Sequence, residues 1–94
     1  MTELWTHAIF TVKPGRENEF ADAWVALARR AREEFAAAPT LLRDREHPNV
    51  FLGFGSWPDV DTMQRFRSAT ADSGAALDEL LERGEAIVCE RVFP

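Results

Sequence analysis

A chain of 94 residues has room for one domain, spanning residues 1–94, and not for two. Its apolar fraction of 46%, with seven Phe and three Trp, supplies a core and excludes a disordered or low-complexity chain. Sixteen acidic residues oppose eleven basic ones, and Lys13 is the only lysine, so no nucleic-acid partner is expected: phosphate backbones need the opposite balance.

Leu4 to Val12 (LWTHAIFTV) is rich in β-branched and aromatic residues and stops at Lys13-Pro14-Gly15, which predicts a strand and then a turn. Trp5, His7 and Ile9 fall on one side of it, and Leu4, Ala8 and Phe10 on the other. A strand apolar on both sides belongs in the middle of a sheet that is covered on both faces. From Glu17 to about Ala38 the period changes. Phe20, Trp24, Leu27, Ala31 and Phe35 recur at helical spacing, acids come early and arginines late, and Pro39 is the expected stop.

Thr40 to Glu46 and Asn49 to Trp57 read as two strands joined by a turn at His47-Pro48. Ser56-Trp57-Pro58-Asp59 opens a second helix, capped by Asp59 and carrying Val60, Met63 and Phe66. Ser68 to Gly74 is expected to break it. A further helical piece with Leu77, Leu80 and Leu81 is expected to stop at Gly84, and Glu85 to Phe93 is the last strand.

The order β-α-β-β-α-β predicts an α+β, ferredoxin-like fold: a four-stranded antiparallel sheet with helices on one face. The opposite face, with Val50, Leu52 and Phe54, is too apolar for water and calls for a second subunit, so a homodimer is expected. Fold alone assigns no activity. The sequence has no basic Gly-Phe motif of an RNA-recognition module, and the turn Lys13-Pro14-Gly15-Arg16 is too short for a phosphate loop. Cys89 is the only cysteine, so an internal disulfide and a cysteine-built zinc site are both excluded. No apolar run approaches the ~20 residues of a membrane span. Met-Thr-Glu-Leu-Trp lacks the basic start and apolar stretch of a secretory signal, so a cytoplasmic protein without membrane contact is expected.

The opening HAIFTVKPGRENEFADAW resembles the first strand, Pro-Gly turn and first helix of the antibiotic biosynthesis monooxygenase superfamily. LLRDREHPNVFLGFGSWPDVDTMQRFRS resembles its central hairpin and the Trp that leads into its second helix. The resemblance implies a dimeric α/β barrel with a pocket in each subunit between sheet and helices. It also implies oxygen chemistry on an aromatic polyketide or quinol-type molecule, with no metal and no other cofactor. The superfamily's haem-degrading branch carries an Asn, a Trp and a His where this chain has His7, Phe66 and Ala76, and the anthrone-oxidising branch uses a Tyr, which this chain lacks.

Cofactor-free oxygenation requires an apolar pocket, donors for an enolate and a base within reach. His7, inside a strand and of the side-chain type suited to proton transfer near neutral pH, is the candidate base; the alternative is a buried His satisfied by a backbone carbonyl. Trp57 offers an indole N–H and a flat face, or else anchors strand to helix in the core. Trp24 and Phe66 are candidate pocket walls or core residues. Gly53 and Gly55 share a strand face with Phe51 and Trp57. They form either a notch for a flat ligand or a place where another element packs closely. Arg43 is the candidate enolate partner if it points inward, and a surface ion-pair member if it does not. The reading is therefore catalysis by His7 and Trp57, with Trp24, Phe66, Phe51, Gly53 and Arg43 at the substrate. A binding domain without turnover is the alternative, and a haem protein a more distant one.

Overall fold

The computed structural model describes residues 4–93. Its elements are β1 (Leu4–Val12), α1 (Glu17–Phe35), β2 (Ala38–Arg43), β3 (Val50–Trp57), α2 (Val60–Ala69), α3 (Ala71–Asp78) and β4 (Leu81–Glu90). The strands form one antiparallel sheet in the order β2-β3-β1-β4, as expected for a ferredoxin-like fold. β1 is central, between β3 and β4. Its neighbours across the ladder are fixed pair by pair: Ala8 lies between Gly53 and Ala86, His7 between Phe54 and Ile87, and Phe10 between Phe51 and Gly84.

Side chains alternate along a strand, so this register sorts the sheet into two faces. Phe10, Val12 and Phe51 face the helices. The Phe20 ring of α1 lies between Phe10 and Phe51, at centroid distances of 5.0 and 5.1 Å, and is fully buried. Val12, Leu77 and Leu80 complete this core. Burying a Phe of this size is worth about 2–3 kcal/mol, so one ring accounts for much of the attachment of α1. The other face carries Trp5, His7, Ile9, Leu42, Leu52, Phe54 and Ile87, with no element of the described chain packed over it. Ile9, Leu42 and Ile87 are 40, 50 and 58% exposed.

Several boundaries differ from the sequence reading, each for a local reason. α1 ends at Phe35, because Ala36 turns into the left-handed region (φ 55°) and the backbone N–H of Ala37 bonds back to the Ala31 carbonyl. Pro39 does not terminate a helix; it lies within β2. A proline is tolerated there because β2 is an edge strand, with a partner on one side only. β2 stops at Arg43. The Asp44 carboxylate then collects the backbone N–H groups of Glu46 and His47 and orders a longer turn than the expected dipeptide. Those bonds to Glu46 and His47 hold the Asp44 carboxyl below its ordinary value. The expected break at Ser68–Gly74 shrinks to Thr70, whose hydroxyl donates to the Phe66 carbonyl while α3 starts at once. Leu81 and Gly84 belong to β4, which starts at Leu81 and not at Glu85. Gly84 is a strand glycine facing Phe10, and a Cβ there would come within 3.1 Å of Leu81. Asp59 caps α2 as expected, accepting the Thr62 N–H at 2.7 Å.

Candidate functional site

On the helix-facing side, three neighbouring strands place small residues in one row: Gly53 of β3, Ala8 of β1 and Ala86 of β4. With at most one carbon per side chain, the row leaves a flat floor. α1 supplies Trp24 and Leu27 above it, β3 ends in Trp57, and α2 brings Phe66. Together they enclose a cavity of about 280 Å³. That lies near the lower end of the roughly 300–1,000 Å³ typical of small-molecule sites, and the walls are mostly apolar. The aromatic wall is braced: Phe66 sits 5.2 Å from Trp57 and meets Phe35 edge-on at 5.4 Å.

Gly53 is required by close approach. A Cβ there would lie 3.1 Å from Phe10 and 3.4 Å from the Trp24 indole, so the tryptophan reaches over the strand because the residue beneath has no side chain. The polar groups of the cavity are few. The Trp57 Nε1–H donates to Thr6 Oγ1 at 3.1 Å, so this indole is already engaged. Thr6 Oγ1 lies 3.5 Å from the Gly55 carbonyl, too far for a strong hydroxyl bond, which leaves its proton available. Among the described residues, no three His, Cys, Asp or Glu side chains come together as metal ligands.

No protein-family model matches this sequence, and no curated protein does. Solved structures do. A variant of SnoaB, a cofactor-independent oxygenase from Streptomyces nogalater, superposes with a TM-score of 0.88 over 98% of this chain and 95% of that one, at 23% identity. A crystal structure described as an antibiotic biosynthesis monooxygenase gives 0.83 over 95% of this chain and 98% of its own, at 17% identity. A conserved protein of Methanosarcina mazei gives 0.87 over 97% and 94%, at 18% identity.

The chain shares the fold of these structures. Within this fold the structure brings Trp24, Trp57, Phe66, Gly53 and His7 to one cavity, and it separates Phe51 and Arg43 from them. His7 borders the cavity through the central strand, while its imidazole stands on the opposite face. It stacks on Phe54 at 4.4 Å, and its Nδ1 lies 3.1 Å from the Gly53 carbonyl. A carbonyl only accepts, so Nδ1 carries the proton, and the alternative of a histidine satisfied by backbone describes this bond. The physical reason is parity: one residue from Ala8, His7 must point the other way. Phe51 does face the helices, yet it is 3% exposed and packed in the core against Phe20, away from the cavity. Arg43 lies on the edge strand with its guanidinium over the Phe51 ring at 4.6 Å, and it does not border the cavity.

Among the polar residues that border the cavity, sequence reading missed two. Thr6 is an ordinary β-former whose value depends on its register opposite Gly55, which no local signal reveals. Arg67 follows Phe66 in the last turn of α2. Helical spacing from Phe66 places the two on neighbouring faces, and that could have flagged it. The open face of this fold also carries a hollow, of about 600 Å³, shallower and bordered by Trp5, Phe54, Cys89 and Phe93. A further hollow is bordered by Asp78, Glu82, Arg83 and Glu85 together with Phe10 and Leu81.

Proposed function

We propose that the protein is a monooxygenase that needs no metal or flavin and acts on a flat aromatic, quinol-type molecule bound in the cavity under Trp24, Trp57 and Phe66. The observation that carries this reading is the cavity itself: a flat floor of Gly53, Ala8 and Ala86 beneath a wall of braced aromatic rings. The likeness to a cofactor-independent oxygenase over almost the whole chain supports it.

The chemistry asks the protein for positioning and electrostatics. An anthrone-type substrate gives up a proton to solvent water and becomes an enolate, and the electron-rich carbanion reduces dioxygen itself, the proton being returned when water is released. A methylene becomes a carbonyl, and the second oxygen atom leaves as water. An apolar, water-poor cavity strengthens any hydrogen bond to the enolate oxygen. Thr6 is the donor best placed to supply one, because its oxygen receives the Trp57 N–H and its own proton is weakly engaged. Trp57 thus acts through Thr6. His7 borders the cavity but turns its imidazole to the other face.

Purified protein incubated with anthrones and quinols should accelerate oxygen uptake, with one O2 consumed per carbonyl formed. Uptake no faster than in buffer across such a panel would reject the reading. That His7, which borders the cavity, turns its imidazole towards Phe54 on the other face favours one second reading, binding without turnover. It would show as ligand-induced thermal stabilisation with no oxygen consumed.

The same reading includes a homodimer. Its support is the apolar open face of the sheet, where Ile9, Leu42 and Ile87 are exposed.

A further inference from the structure

We infer that the ligand of this cavity is an anionic aromatic, a carboxylic acid or an acidic phenol ionised near neutral pH, and that Arg67 receives its charge. This rests on the cavity being the ligand site proposed above.

Among the described residues that border the cavity, Arg67 is the only one with a permanent charge, and no carboxylate accompanies it. Four arginines elsewhere show how such a group can be occupied, whereas Arg29 and Arg32 of α1, like Arg67, have no such bond among the described residues but do not border the cavity. Arg16 and Arg30 pair with Glu19 and Glu34, Arg65 bonds to Thr62, and Arg83 pairs with Glu85. The guanidinium of Arg67 enters no hydrogen bond or ion pair with the described chain. It stands beside Phe66, at the solvent-exposed margin of an otherwise apolar space. A ring lying on the Gly53–Ala8–Ala86 floor would meet a permanent opposite charge for an anionic substituent only at this margin.

The planar fork of a guanidinium suits two oxygens of a carboxylate, or one phenolate oxygen, better than it suits a neutral amide. The protein carries a net charge of −5, so its general field opposes anions and any preference for one must arise locally. A purely helical role for Arg67, offsetting the dipole at the end of α2, predicts no dependence on ligand charge.

The test is calorimetric titration with 2-naphthoate and with its neutral counterpart 2-naphthamide. The intact protein should bind the carboxylate about fivefold more tightly, the size of a solvent-exposed ion pair. Arg67→Gln should bring the two affinities together by weakening the carboxylate alone, and Arg67→Lys should keep part of the preference. Equal affinity in the unmodified protein, or a preference that survives in Arg67→Gln, overturns the inference. Ala8→Leu, which raises the cavity floor, separates this failure from that of the site. If both probes bind equally and Ala8→Leu abolishes both, the cavity stands and the role of Arg67 falls. If neither probe binds a protein that still melts cooperatively, both fall.

Discussion

Gly53 shows how one missing side chain positions a site. The Trp24 indole lies where a Cβ would sit in ordinary contact, and Phe10 lies closer still. Gly53→Val should therefore overpack the region and cost about 1–3 kcal/mol in urea unfolding. Adding Trp24→Leu should return part of that loss if the two residues share the space, and strictly additive losses would deny it. Thr6 and Trp57 form the second pair at this scale. Thr6→Val leaves the Trp57 N–H without its acceptor and removes the proposed enolate donor. It should reduce kcat by about 10²-fold with little change in substrate affinity; an unchanged kcat would remove Thr6 from the chemistry.

The aromatic members of the site were legible in the sequence. Trp24 and Phe66 lie on apolar helical stripes, Trp57 marks the strand-to-helix junction, and Gly53 is conspicuous inside a strand. The pointing of His7 and the value of Thr6 were not, because both depend on the parity of β1 relative to β3, which is set across the sheet and not along the chain.

At the scale of elements, the junctions carry the testable energetics. The sequence reading recovered the order of strands and helices, since each apolar period is local. It misplaced the ends, where capping and pairing compete. Ala36 is the instructive case: an alanine in the left-handed region closes α1 at a position where glycine is the usual choice. Ala36→Gly should stabilise the protein by about 1 kcal/mol, because the steric cost of a Cβ in that conformation disappears. A fall in the urea midpoint would show that Ala36 contributes contacts that outweigh this strain.

Asp59 tests the start of α2. The Thr62 backbone hydrogen bond, with that residue's side chain, lowers the Asp59 carboxyl below its ordinary 3.8. The folded form therefore holds the proton less readily than the unfolded chain. Its contribution is complete above 3.8 and is lost as pH falls through the lower, folded value. Asp59→Ala should lower the unfolding midpoint near neutral pH, and the gap from the unmodified protein should close on acidification below 3.8. A gap independent of pH would assign the loss to something other than the charged cap.

The whole molecule is a sheet with two unlike faces. One is roofed by α1, α2 and α3 and holds the cavity. The other exposes Ile9, Leu42 and Ile87 around His7 and Phe54. This two-sidedness could be read from the sequence because β1 is apolar at odd and even positions alike. What covers the second face lies beyond one chain's periodicity. If a twin chain does, Ile87→Glu should convert a dimer to a monomer in sedimentation equilibrium at micromolar concentration without unfolding it. A monomer before substitution would refute that cover.

The three tryptophans report on the two faces independently: Trp24 and Trp57 border the cavity, and Trp5 lies on the opposite face with Arg91 over its ring at 5.2 Å. The central claim is that a flat aromatic ligand binds between sheet and helices. The most direct measurement is a titration of the three indole N–H signals, assigned by single Trp→Phe substitutions, with 2-naphthoate followed by NMR. The account predicts saturable shifts of the Trp24 and Trp57 signals while the Trp5 signal stays in place. Saturable movement of Trp5, with Trp24 and Trp57 unmoved, would put the ligand on the other face and contradict it.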